Sequence, residues 1–121
     1  MSATVSLRRV EGGIACERCR VADRAWPRMR GLLGRRGLDS GEGLLLKPSP
    51  SIMTFFMRFP IDAVFLDKGG TVLKVRANLR PWRLAGCSGA HATLELRAGE
   101  ADRRAIREGD RLEAVESLGT P

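Results

Sequence analysis

Tyrosine is missing from this sequence, histidine occurs once, and no apolar stretch is long enough to cross a bilayer. Each absence closes a class of function. The lone histidine, His91, has no Gly-x-Ser-x-Gly partner, and Ser88 merely follows Cys87 in a glycine-rich loop, so a hydrolase triad has no footing. No Walker loop occurs, and Gly31, Gly34 and Gly37 lack the preceding strand of a dinucleotide fingerprint. Lys47, Arg58 and Asp62 interrupt the apolar segments well short of the ~20 residues that span a membrane. Residues 1–13 carry no apolar signal core, so with Met1 as the start the expectation is a cytoplasmic protein without membrane attachment. Linkers, repeats and low-complexity tracts are absent as well. A chain of 121 residues supports one core, so residues 1–121 are expected to form a single domain.

What is present begins with charge. The net charge is +7, and the basic excess lies in the first two thirds, densest at Arg18, Arg20, Arg24, Arg28, Arg30, Arg35 and Arg36. Among 21 basic residues only three are lysine, which with the many Gly and Ala reads as compositional bias as much as phosphate binding. Apart from Trp26 no aromatic is interleaved with those arginines, so a solvated basic face is favoured over a nucleic-acid surface. The apolar fraction of 43% and charged fraction of 29% are those of a folded domain.

The densest apolar segment runs from Ile52 to Asp67 and holds all four phenylalanines. It predicts one or two core strands split near Pro60, because proline cannot donate to a ladder. Residues 3–21 read as a hairpin turned by Glu11-Gly12-Gly13, and Lys68-Gly69-Gly70 as a second turn before a strand over 71–77. Leu44 to Leu46, Thr93 to Arg97 and Arg111 to Glu116 read as further strands. Gly41 to Gly43 and Pro81-Trp82 read as loops. Short helices are expected after Asp23, ended by Gly34, and over 100–107. The fold class is therefore mainly β (α+β): a β-sandwich or partly closed β-barrel of short antiparallel strands with two short helices.

Several pieces in order resemble the domain-of-unknown-function family 192: Arg30-Gly31-Leu32-Leu33-Gly34-Arg35, Gly43-Leu44-Leu45-Leu46, the block from Thr54 to Asp67, Gly70, Leu94-Glu95-Leu96 with Gly99, and Gly109-Asp110. The resemblance implies a compact, mainly β fold and no assigned activity. Where that family's pattern tends to carry His, this chain has Met53, preceded by Pro50 and Ser51 rather than a cysteine.

Three functional readings follow from the residues. A binding or accessory module without catalytic residues or cofactor is preferred, with a small pocket lined by Phe55, Met57 and Trp82 and a polar group fixed by Arg58 or Asp62. Its partner is an unidentified small molecule or protein, and the basic balance of residues 1–83 favours an anionic or polar one. An enzyme using Asp62 as acid or base is a second reading, and Asp62 paired with Arg58 for structural reasons is the plain alternative. Cys16, Cys19, Cys87 and His91 form the third, a Cys₃His zinc set. A regular strand would point Cys16 and Cys19 to opposite faces, which argues against the zinc set and in favour of ordinary reduced thiols. Redox chemistry by the same Cys-x-x-Cys lacks the helix N-terminus that would activate a thiolate.

Overall fold

The computed structural model of the chain describes residues 3–22 and 36–115. The helix expected after Asp23 lies outside them. Among the described residues there are nine strands: β1 (Ala3–Arg9), β2 (Ile14–Ala22), β3 (Glu42–Leu46), β4 (Ser51–Met53), β5 (Ile61–Leu66), β6 (Val72–Leu79), β7 (Leu84–Gly86), β8 (Ala92–Arg97) and β9 (Leu112–Val115). A single-turn helix, α1 (Glu100–Arg103), precedes β9. Seven strands form one sheet in the order β6-β5-β8-β3-β2-β1-β9, and β4 pairs with β7 in a small second sheet. All described pairings are antiparallel except β2 with β3.

The large sheet curls until its two edges meet. Thr71 bridges Arg111, Val72 N–H donates to Asp110 O at 2.7 Å, and Leu112 N–H donates to Gly70 O at 2.9 Å. Gly70 makes this closure possible. Its φ is +90°, and a Cβ there would stand 2.3 Å from the carbonyl oxygen of Leu112. Only glycine tolerates both the left-handed backbone and the close approach. Asp67 builds the same turn, its Oδ1 accepting from the Gly69 and Thr71 amides at 2.9 Å.

β5 is buried along its whole length, which explains the near-continuous apolar run Ile61-Asp62-Ala63-Val64-Phe65-Leu66. Val64 and Leu66 join one core cluster with Leu7, Cys16, Cys19, Leu94 and Leu96. Ile61, Ala63 and Phe65 join the other, with Leu44, Leu46, Ile52, Met57 and Phe59. Phe65, Leu66 and Leu96 are buried as expected, whereas Phe55 is half-buried.

Two expectations need correction. The segment 54–60 is a turn and not a strand, because Thr54 leaves β4 and binds the chain after β6. The second helix ends near Arg103 instead of continuing to residue 107: Ala105 adopts φ +57°, which stops a helix of L-residues.

Candidate functional site

Thr54 assembles the most distinctive surface of the molecule. It is fully buried and binds the 80–83 loop four ways: its N–H donates to Arg83 O at 2.9 Å and its hydroxyl to Arg80 O at 2.6 Å, while the hydroxyl accepts from Arg83 N–H at 2.9 Å and its carbonyl from Trp82 N–H at 3.0 Å. Thr54 thereby locks the Phe55-Phe56 turn against the Pro81-Trp82 turn. Phe56 (φ +67°) and Trp82 (φ +65°) both sit in the left-handed region, a conformation that costs on the order of 1 kcal/mol or more for a bulky residue. That strain holds two large rings outward. Phe56 is 68% and Trp82 54% exposed.

Phe55 stacks on Trp82 with centroids 5.5 Å apart, and Phe56 tilts against it at 4.6 Å. The small sheet extends this ledge, since Met53 and Leu84 face each other across β4 and β7 and are 50% and 69% exposed. Their neighbours Ile52 and Ala85 point inward to the core, as strand alternation requires. Arg58, Arg80 and Arg83 are exposed beside the ledge. Neither 47–60 nor 68–92 contains an aspartate or glutamate, so these two segments themselves contribute only positive side-chain charge.

Of the five residues named from the sequence, the structure brings Phe55 and Trp82 together and leaves Arg58 in solvent nearby in the chain. Met57 is buried in the core. Asp62 is buried as well and has no bond to Arg58. Its Oδ1 accepts from Asn78 N–H at 2.8 Å, and its Oδ2 from Gly99 N–H at 3.0 Å and Ala101 N–H at 2.9 Å. Asn78 has φ +52° at an irregularity where β6 carries an extra residue opposite β5. One carboxylate thus fastens that bulge and the start of α1, which accounts for an acidic residue in the apolar strand. With both oxygens occupied by backbone donors and no solvent access, Asp62 is badly placed to exchange a proton with a substrate.

The zinc quartet is not assembled. Cys16 and Cys19 lie in one core cluster, whereas Cys87 packs against the other. Among the described residues no group of three or more His, Cys, Asp or Glu side chains is placed to hold a metal ion. The geometric objection to the pair itself is overturned, however. β1 pairs Val5 with Cys19 and Leu7 with Cys16, so a bulge at Glu17-Arg18 turns both thiols to the same face. The neighbouring Cys19 thiol draws the Cys16 thiol below its usual range, and Cys16 together with burial pushes Cys19 upward. Gly43 makes the room, since a Cβ there would stand 2.7 Å from the Cys16 sulfur.

Sequence reasoning passed over Glu95. It lies on β8 between Leu44 and Ala63 in the cross-sheet register, 5% exposed, and burial alone pushes its carboxyl up to about 8. The signal was available, because a glutamate between Leu94 and Leu96 is buried whenever both faces of its strand are covered. It also passed over Phe56, Leu84, Arg80 and Arg83, whose significance depends on two chain segments meeting. A separate open cavity of about 260 Å³ is lined by Thr4, Arg18, Arg20, Leu38, Glu42, Gly43 and Leu44.

Two solved structures share this fold. A protein of Sinorhizobium meliloti, described as a candidate transcription regulator, is 24% identical, superposes with a TM-score of 0.83, and is matched over 93% of this chain and 95% of its own. A protein of unknown function from Novosphingobium aromaticivorans is also 24% identical, with a TM-score of 0.79 over 93% of this chain and 84% of its own. No functionally curated protein matches the chain. The DUF192 family model, described as "Uncharacterized ACR", matches residues 8–114, nearly the whole chain, and the protein belongs to that family.

Proposed function

We propose that this protein is a non-catalytic binding or accessory module, and that its working surface is the ledge beside the Phe-rich segment. The observation that carries this reading is the pinning of Phe56 and Trp82. A fully buried threonine holds both turns, and two strained backbones keep large apolar rings in water. The ring contacts among Phe55, Phe56 and Trp82 bury only part of these side chains, and strain of this kind collects where a surface meets a ligand. The arginines and the absence of acidic residues from 47–60 and 68–92 favour an anionic or polar partner. The surface is an open ledge, with Phe55, Trp82 and Arg58 on it, whereas Met57 is buried in the core and Asp62 is engaged with the backbone of β6 and the start of α1.

A Trp26→Phe variant leaves Trp82 as the sole indole reporter. Titrating it with polyphosphate and with polyglutamate should change Trp82 emission in a salt-sensitive way. Arg58→Ala should weaken that response while leaving the melting temperature within a degree or two, as befits an exposed side chain. A response of equal strength in Arg58→Ala, or none to either polyanion, overturns the reading.

A further inference from the structure

The composition of the ledge selects among anionic partners. We infer that it docks an acidic, extended polypeptide segment carrying apolar anchor residues, a partner class that rests on the binding role proposed above and goes beyond it. Charge complementarity sets the sign: Arg58, Arg80 and Arg83 flank the apolar side chains within acid-free stretches of the chain. The same field disfavours a second copy of this protein. A two-fold contact through the ledge would set one copy's arginines against the other's, on chains that each carry +7.

Residue type then separates a polypeptide from a nucleic acid. Tryptophan, phenylalanine, methionine and arginine are enriched at protein–protein contacts, and tryptophan and arginine are among the side chains that carry most of the binding energy there. Half of the exposed apolar set, Met53 and Leu84, is aliphatic and offers no ring for a base. Trp82 already carries Phe55 and Phe56 on its ring, so it is a poor platform for stacking. Backbone architecture adds a reason to prefer an extended segment over a lipid surface. Among the described residues β4 and β7 pair only with each other in their sheet; Ser49 Oγ already donates to Ser51 O and Lys74 Nζ to Gly86 O, which leaves the backbone at Met53 and Leu84 as the stretch a further strand could extend. An extended polypeptide lying along such an edge can bond to the backbone while alternate side chains reach Met53 and Leu84.

The Trp26→Phe protein should be titrated with four probes: a short synthetic peptide alternating Asp or Glu with Leu and Phe, an oligoglutamate of equal charge, oligothymidylate, and vesicles of phosphatidylcholine with phosphatidylglycerol. The mixed peptide should shift Trp82 emission to the blue and bind about tenfold or more tightly than oligoglutamate, the gain of one or two buried anchors. Leu84→Ser should erase that preference while leaving oligoglutamate binding unchanged, and Arg83→Ala should weaken both peptides. Stronger binding of oligothymidylate or vesicles than of the mixed peptide overturns the polypeptide assignment while leaving the ledge as a binding surface. Silence of Trp82 toward all four probes overturns both readings. Sedimentation that shows dimers abolished by Leu84→Ser would overturn the assignment in favour of self-association.

Discussion

Asp62 and Trp82 embody opposite solutions to the same problem, a side chain in the wrong solvent. At the α1 end of the molecule a carboxylate is buried, and the cost of removing it from water is offset by three backbone donors at 2.8 to 3.0 Å. Nearby Glu100 is treated in the same way. Hydrogen bonds from Arg103, against the cost of burial, and further ones from Arg104 and Ser40 hold its carboxyl down at about 2. At the ledge the apolar groups are half or more exposed to water, and their contacts with one another cover only part of them. Groups in the first region are satisfied by the fold, so removing them harms the fold. Groups in the second are only partly covered by one another, so removing an exposed one harms chiefly what the ledge contacts.

That contrast is open to test, and the largest effect belongs to the buried end. Asp62→Ala orphans three backbone N–H groups and leaves a small void, and should cost on the order of 3–5 kcal/mol in chemical denaturation, comparable to Phe65→Ala. A loss below ~1 kcal/mol would show that the carboxylate is not the fastening described here.

Glu95 supplies the next effect, with a pH signature. In the unfolded chain its carboxyl ionises near 4.5, whereas in the folded protein it keeps its proton up to about 8. Between those values the folded state holds a proton that the unfolded state has released, so stability falls as pH rises and levels off above about 8. Glu95→Gln should remove this slope and be more stable than the parent at pH 8 by on the order of a few kcal/mol, with the difference gone near pH 4. Glu100 works in the opposite sense and in a separate window. Its folded value lies below 4.5, so its contribution is full above that pH and is lost as pH falls toward about 2. Thermal melts of the two Gln variants should therefore lie near the parent at acid pH and depart from it in opposite directions as pH rises, Glu100→Gln falling below it by about pH 4.5 and Glu95→Gln rising above it toward pH 8.

Thr54→Val stands between the two regions. It deletes a buried hydroxyl and orphans the Arg80 carbonyl and the Arg83 amide, and should cost roughly 1–3 kcal/mol while quenching or red-shifting Trp82 emission as the two turns part. An unchanged emission spectrum would show that the rings are held by their own stacking. The smallest effect on stability is expected at the ledge surface itself. Leu84→Ser should alter the denaturation midpoint by no more than ~0.5 kcal/mol, because 69% of the side chain is already exposed.

The strands were legible wherever a local pattern carries them. The hairpin of residues 3–21 and the turn at Lys68-Gly69-Gly70 follow from glycine and alternation, and the faces of β5 divide as period two demands, with Val64 and Leu66 opposite Ile61, Ala63 and Phe65. The β7 strand was not legible. Its three residues become a strand only because β4 stands beside them. Phe55-Phe56-Met57 carries strong strand propensity and is nevertheless a turn, since four hydrogen bonds from Thr54 to a segment almost thirty residues away outweigh local preference.

The sequence by itself determined the class of architecture, the DUF192 resemblance, the central apolar strand and the acid-free basic stretches, because these depend on composition and near-neighbour spacing. Tertiary structure alone decided what the polar and aromatic side chains do. Asp62 is matched with backbone from β6 and from the start of α1, not with Arg58, four residues before it. Cys16 and Cys19 share a face because a bulge shifts the register, and Glu95 keeps its proton up to about 8 because strands on both sides bury it. Met53, Phe56, Trp82 and Leu84 make one surface because Thr54 and the β4–β7 pairing join two distant segments. Contacts between residues far apart in the chain leave no periodic trace along it, and it is those contacts that turn an apolar segment into a ledge.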